Sequence, residues 1–299
     1  MSDVILALAP AKINLGLRVL GRRSDGYHEI DTIMQTVTLF DRVSMTWPGS
    51  GAVTCSLPSI PPSENLIGRA AMHLADRCQR LVDVDFHLEK RIPVAAGLGG
   101  GSSNAASALR LLARLWGIEE SDPRLHDAAA ATGSDVPFFL AGGRARATGR
   151  GERIEPMART ETRWVVVVSP DVVIERKTAT LFAALGSEDF GSDVQDAEHH
   201  NAFRRPLYDN FPEIARIADA IRTHCDVPSV ITGAGPAHYV LLDDLHAALR
   251  LLWSARTDER LTGCSIHVAR TFAGPGPILT IRNDSSRERV STDDTSRAH

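Results

Sequence analysis

The sequence predicts a two-domain α+β protein, and three observations carry that expectation. Its 299 residues, 43% of them hydrophobic, are enough to bury one large core and more comfortably fill two. Segments with the period-2 alternation of strands are interleaved with segments of helical 3.6 period. A polar, proline-broken stretch, Glu155-Pro156-Met157-Ala158-Arg159, falls near the middle and places a boundary within residues 155–162.

Val4–Ala9 is an apolar run without a basic leader and too short to cross a bilayer, so it reads as a first strand. From Ala9 to Leu20, Ile13, Leu15, Leu17 and Val19 alternate with Lys12, Asn14, Gly16 and Arg18. One face of that strand is apolar; Lys12 and Asn14 share the other, where solvated side chains are the usual outcome. Arg22–Glu29 is a turn whose Asp25-Gly26 sets Tyr27 beside His28. Those two rings could take a planar ligand by stacking and edge hydrogen bonds, or simply lead into an ordinary strand through Ile33, Gln35 and Val37.

Pro61-Pro62-Ser63 closes a loop, and Leu66, Ile67, Ala70, Ala71, Leu74 and Cys78 mark an amphipathic helix. Val84, Phe86 and Leu88 then alternate as a half-buried strand. It feeds the most informative stretch of the chain, Pro93-Val94-Ala95-Ala96-Gly97-Leu98-Gly99-Gly100-Gly101-Ser102-Ser103-Asn104. Beyond it, Ala105, Ala108, Leu109, Leu112, Leu115 and Trp116 share one helix face that ends at Gly117. Four glycines in five positions let backbone N–H groups turn inward, and the positive end of the following helix points the same way. A strand, a glycine loop and a helix in that order can cradle phosphate oxygens, with a glycine-rich turn that binds no ligand as the plainer alternative. Ser102 and Ser103 add hydroxyls suited to a phosphate, a magnesium ion or the helix N-cap. No lysine follows the glycines, so this is not a Walker A loop, and Ser102 stands where a dinucleotide fingerprint needs glycine.

Asp122-Pro123 opens another helix, which runs to Gly133. Asp135, in Ser134-Asp135-Val136-Pro137-Phe138-Phe139-Leu140, is a carboxylate flanked by apolar bulk. It is expected to be partly buried, with a helix N-cap as the plainer alternative. Arg144–Thr148 reads as an edge strand with a solvated basic face. The second half opens with Trp164–Val168, apolar enough for a sheet interior. Gly186–His200 reads as an acidic surface loop whose His199-His200 lacks metal-ligand spacing. Ile214, Ile217, Ala218 and Ile221 mark a helix. Ile231–His238 is a second glycine turn before a strand at Tyr239–Leu242. Leu245, Leu249 and Leu252 mark the next helix, and Cys264, Ile266 and Val268 a late strand. Almost nothing is apolar from Arg282 to His299, which predicts a disordered tail.

A net charge of −4 supplies no basic field for nucleic acid or an anionic membrane. Cys55, Cys78, Cys225 and Cys264 form no C-x-x-C pair and suit the reduced thiols of a cytoplasmic protein.

With these pieces placed, the chain resembles the GHMP small-molecule kinases. Three motifs stand in that family's order: Pro-Ala-Lys-Ile-Asn-Leu at 10–15, Pro-x-x-x-Gly-Leu-Gly-Gly-Gly-Ser-Ser at 93–103 and Thr-Gly-Ala-Gly-Pro at 232–236. The resemblance implies an N-terminal domain like domain 2 of ribosomal protein S5 over residues 1–160. It implies a ferredoxin-like C-terminal domain over 161–281, the tail at 282–299, and an active site in the cleft between the domains. It implies transfer of the ATP γ-phosphoryl to a small-molecule hydroxyl, with Asp135 as general base and Lys12 close to it. Pro93 to Ser103 would wrap ATP. Asn14, Tyr27, His28, Thr178, Gly233 and Gly235 would bind the acceptor. Mg²⁺ is expected, with Ser103 as the nearest protein ligand. Asp25–Glu29 and Gly133–Phe138 point to a cytidine-diphosphate methylerythritol, phosphorylated on its 2-hydroxyl on the non-mevalonate route to isoprenoids. Homoserine, mevalonate or a sugar are the alternative acceptors. A non-catalytic sensor would be expected to lose Lys12 or Asp135. Ala234 and Ala237 stand where the family commonly has hydroxyls, which implies fewer phosphate contacts from the third motif.

Overall fold

The computed structural model describes residues 4–61, 64–191 and 199–281. The expected tail at 282–299, Pro62, Ser63 and residues 192–198 of the acidic loop lie outside the described residues. Strand β1 (Val4–Arg22) joins the two strands expected at the amino end into one. It pairs antiparallel with β2 (His28–Thr46) around the Arg23–Tyr27 turn, with register shifts at Pro10/Ala11, Asn14/Gly16 and Val19/Gly21. There follow β3 (Val53–Cys55), α1 (Leu66–Cys78), β4 (Asp85–Glu89), α2 (Gly100–Trp116), α3 (Pro123–Thr132), α4 (Val136–Ala141), β5 (Arg144–Gly149) and β6 (Arg153–Pro156). These strands form the first sheet, in the order β1-β2-β4-β3, with β5 on the remaining length of β2 and β6 beside it. Helices α1 to α4 pack on one face, burying Met34, Met45, Phe86, Leu109 and Phe138.

The second half holds β7 (Trp164–Pro170), α5 (Lys177–Ala183), α6 (Arg204–Asn210), α7 (Pro212–Arg222), β8 (Val230–Ile231), β9 (His238–Leu242), α8 (Leu245–Arg256) and β10 (Cys264–Arg270). Its sheet runs β10-β7-β9-β8, all antiparallel, and strand and helix alternate in the βαββαβ order of a ferredoxin-like fold. The chain then returns to the first sheet, where β11 (Ile278–Ile281) pairs with Val4–Ala7. Residues 4–156 and 164–270 thus each own a sheet, and among the described strands only β11 crosses back.

A third cluster binds the two sheets: Ala11, Ile13, Leu15 and Val37 meet Val165, Val167, Tyr239 and Leu241. Ala7 and Ala9 serve the helix-side core, whereas Ala11 and Ile13 serve this one. The irregularity at Pro10/Ala11 marks the change, as bulges commonly re-aim a strand beside a functional site.

Several expectations need correction. Lys12 and Asn14 are not solvated: they are 4% and 3% exposed, because the glycine loop and the 232–233 turn cover their face. Arg144–Gly149 is not an edge but lies between β2 and β6, and Arg146 makes a two-pronged ion pair with the buried Asp31. Leu245 is exposed, and α8 is held by Ala248, Leu251 and Ala255 instead. Among the described residues no helix is long and apolar enough to cross a membrane.

His238 is fully buried on β9, its Nε2 2.9 Å from the Tyr208 hydroxyl. Burial pushes its pKa down from 6.5 to about 4. The unfolded chain therefore takes up this proton first. Stability falls as pH drops below about 6.5, and the full loss is reached below about pH 4. The loss attributable to this imidazole is roughly 3 kcal/mol. Urea unfolding from pH 7.5 to 4.5 should show a shallower pH dependence for His238→Gln than for the parent; equal slopes would contradict the assignment.

Candidate active site

The glycine loop is held by its carbonyls. Ala95 O accepts from Lys177 Nζ at 2.6 Å, and Ala96 O from Ala237 N at 3.2 Å. Gly97 O accepts from Thr232 Oγ1 at 3.2 Å, and Leu98 O from Lys12 N at 2.9 Å. Ile92, Ala96 and Leu98 are also sunk in the core between the sheets. With the carbonyls engaged on one side, no backbone N–H from Val94 to Ser102 is donated to a protein acceptor among the described residues. Those N–H groups and the N-terminus of α2 together form an anion cradle. Gly97 and Gly99 have φ of 82° and 70°, and a Cβ at Gly97 would lie 2.0 Å from Thr232 O. Ala95 adopts φ 54° without being glycine. Both ends of the loop are tied to one buried carboxylate. Asp41 accepts from Lys90 Nζ at 2.6 Å, Arg91 N at 2.6 Å, Ile92 N at 2.8 Å and Asn104 Nδ2 at 2.8 Å.

Lys12 sits where all three sequence motifs meet. A Cβ at Gly99 would lie 3.0 Å from Lys12 Cγ, and one at Gly233 would lie 3.2 Å from Nζ. Two positions apart on one strand, Lys12 and Asn14 share a face, and Nζ donates to Asn14 Oδ1 at 2.6 Å. That oxygen also accepts from Gly233 N at 2.8 Å and lies 3.3 Å from Thr232 Oγ1, whose single proton goes to Gly97 O. Asn14 Nδ2 donates to Thr32 Oγ1 at 2.8 Å, which fixes the amide orientation. Asp135 heads α4 but does not cap it; its Oδ2 lies 3.9 Å from Lys12 Nζ. Burial lowers the Lys12 pKa, and the Asp135 charge opposes that shift.

Two cavities meet along the loop at Ala95, Gly97 and Gly99. The smaller, about 420 Å³, is lined by Pro93 to Ser102 with Asn65, Leu66, Lys90 and Asn104. The larger, about 1370 Å³, holds Lys12, Asn14, Asp135, Tyr27, His28, Thr178 and Gly233. Five cations line it (Lys12, Arg22, Arg150, Arg176 and Lys177) against the single carboxylate of Asp135. At the same cavity, His28 stacks on Phe182 with centroids 4.6 Å apart, and Arg150 lies 4.8 Å over the Tyr27 ring. The turn carrying them is braced by Asp25 Oδ1, which accepts from Tyr27 N, and by Glu29, which accepts from Arg23 and from Gly149 N. Burial, with the Arg22 charge adding to it, lowers the His28 pKa, which favours the neutral imidazole.

Comparison with known proteins agrees with this layout. Residues 65–143, which include the glycine loop and Asp135, match the model of the GHMP kinases N terminal domain. A 4-diphosphocytidyl-2-C-methyl-D-erythritol kinase of Pelotomaculum thermopropionicum is 37% identical over 289 residues, 90% of this chain and 98% of the relative. One from Symbiobacterium thermophilum is 39% identical over 274 residues, 84% and 95% of the two chains. The chain belongs to the GHMP kinase family. A crystal structure of 4-(cytidine 5'-diphospho)-2C-methyl-D-erythritol kinase superposes with a TM-score of 0.77 at 33% identity, covering 90% of this chain and all of that one. A homoserine kinase from Cytophaga hutchinsonii shares the fold, with a TM-score of 0.70 at 14% identity, over 94% of this chain and 98% of that one. As a GHMP kinase, the chain uses ATP as co-substrate and a small molecule as acceptor.

Of the residues singled out from the GHMP kinase sequence, two lie off the cavity walls. Gly235 meets the site through its carbonyl, which accepts from Lys177 Nζ. Ser103 is buried in the first turn of α2, its Oγ without a partner among the described residues, and neither it nor Ser102 caps that helix. Sequence reasoning missed Lys177, Phe182 and Asp41, and quoted Thr232 in the third motif without giving it a role. Lys177 and Phe182 lie in a helix too short to show a period, and Asp41 looks like any strand-end acid. The Asn14 amide oxygen accepts from Lys12 Nζ and Gly233 N, and Asn14 is expected to act through Lys12. Asn14→Ala is expected to lower kcat roughly 100-fold through misplacement of that ammonium, with KM for ATP little changed. Steady-state kinetics with both substrates varied will check this; a loss confined to KM would contradict it.

Proposed function

We propose that this kinase transfers the ATP γ-phosphoryl to the 2-hydroxyl of 4-diphosphocytidyl-2-C-methyl-D-erythritol. The observation that carries the reading is the Lys12–Asp135 pair, set where the glycine-loop cavity meets a larger cationic one walled by aromatic rings. Curated relatives with that name, 33–39% identical over most of their length, support it.

In this reading the free N–H groups of the loop hold the ATP phosphates, leaving the γ-phosphoryl near Gly99. The Asp135 carboxylate accepts the proton of the acceptor hydroxyl as its oxygen forms the new bond to phosphorus. The bond from phosphorus to the bridging oxygen breaks, and ADP leaves with that electron pair. Lys12, oriented by Asn14, sets a positive charge against the oxygens of the group in flight. The arginines suit the diphosphate of the acceptor. Tyr27, the neutral His28 and Phe182 suit its cytosine, by stacking and by a hydrogen bond to the ring edge. Thr178 and Gly233 line the path between. Homoserine and mevalonate have no ring for this aromatic wall.

A magnesium ion would supply positive charge to offset that of the phosphate chain. Among the described residues no cluster of three or more His, Cys, Asp or Glu side chains could hold a metal. The protein oxygen that would take part is the buried Ser103 Oγ in the first turn of α2, which has no partner among the described residues.

A coupled ADP-release assay comparing the cytidine acceptor with homoserine and mevalonate tests the proposal; release with either of the latter alone would refute it. Asp135→Asn should lower kcat by at least about 100-fold while ATP affinity stays within a few-fold, because N–H donors hold the nucleotide. Parallel loss of both in kinetics and titration would contradict that division. Tyr27→Ala should raise KM for the cytidine acceptor about tenfold and leave KM for ATP unchanged. The reverse pattern would move the base elsewhere.

A further inference from the structure

Lys177 opens α5 and is 8% exposed, yet it carries an ammonium into the junction of the two cavities. Its Nζ donates to Ala95 O at 2.6 Å, at the start of the glycine loop, and to Gly235 O in the turn of the second domain. No other side chain among the described residues donates to both segments. Ala95 holds a left-handed conformation that residues with a Cβ rarely adopt, and such a conformation persists only where the surroundings impose it. Ala96, Gly97 and Leu98 take donors from the 237 backbone, Thr232 and the β1 backbone, so Lys177 supplies the first of four successive anchors. Burial, and then the nearby Lys12 charge, pushes the Lys177 pKa down to about 8.

We propose that Lys177 is a positioning residue for the nucleotide: by binding the Ala95 and Gly235 carbonyls it turns the loop so that N–H groups, and not carbonyl oxygens, face the ATP phosphates. Released, the Ala95 carbonyl would present a partial negative charge to a polyanion. The inference rests on the reading of 93–103 as the ATP loop and is independent of which acceptor is used.

Lys177→Met keeps the length of the side chain and removes every donor. In the full-length protein, titration with a non-hydrolysable ATP analogue, without acceptor, should show at least a tenfold loss of affinity. Amide hydrogen exchange should rise at Lys12 and Ala237, whose N–H groups hold the Leu98 and Ala96 carbonyls, and stay at the parent's level in β9. A purely structural contact would lower the unfolding midpoint and leave the affinity of the folded protein unchanged; affinity within twofold of the parent, with unaltered exchange at Lys12 and Ala237, overturns the proposal. Lys177→Gln keeps N–H donors without the charge and should hold affinity within threefold. A tenfold loss there would overturn the proposal even if Lys177→Met does not fold. Failure of the parent to release ADP with the cytidine acceptor would refute the acceptor assignment and leave this binding test standing.

Discussion

The site depends on the outward orientation of four consecutive carbonyls, those of Ala95, Ala96, Gly97 and Leu98. A peptide unit that turns its C=O one way turns its N–H the other. Fixing the carbonyls on Lys177, Ala237, Thr232 and Lys12 therefore determines what the loop offers to a ligand. The donors come from both halves of the chain, Lys12 from the first and Lys177, Thr232 and Ala237 from the second, so the cradle takes shape only when the two are packed together. The apolar seam through Ile13, Leu98, Val167 and Tyr239 holds them in that relation.

The same convergence explains how a lysine is kept deep in the molecule. Removing an ammonium from water is unfavourable unless polar partners replace the solvent. For Lys12 those partners are the Asn14 amide oxygen, 2.6 Å away, and the more distant Asp135 carboxylate. The 3.9 Å separation is too long for a direct hydrogen bond and leaves Asp135 able to accept a proton from another group. An arriving phosphate would favour the charged lysine further, so nucleotide binding and Lys12 protonation support each other.

The architecture was largely legible in the sequence, because α1, α2, α3, β4 and β7 announce themselves through periodicity, caps and apolar runs. The pairing of Lys12 with Asp135 came from the motifs' resemblance to a family, since 123 positions of chain separate them. What alternation alone misjudged was the second face of β1: a strand reads as half-solvated until another layer covers it, and here the glycine loop and the 232–233 turn do so. Arg144–Gly149 looked like an edge for the same reason, its neighbour β6 being only four residues long. Lys177 stayed hidden in a polar run, Glu175-Arg176-Lys177-Thr178, that reads as a solvated surface. Its burial is a product of tertiary packing, and nothing local encodes it.

The central claim is that the loop's free N–H groups and the Lys12–Asp135 pair serve one phosphoryl group. A crystal structure with a non-hydrolysable ATP analogue and the cytidine acceptor tests it most directly. The account predicts the terminal phosphate on the N–H groups between Gly97 and Ser102, beside Lys12 Nζ, with the acceptor hydroxyl hydrogen-bonded to Asp135. A terminal phosphate bound away from that junction, or an acceptor hydroxyl out of reach of Asp135, would contradict it.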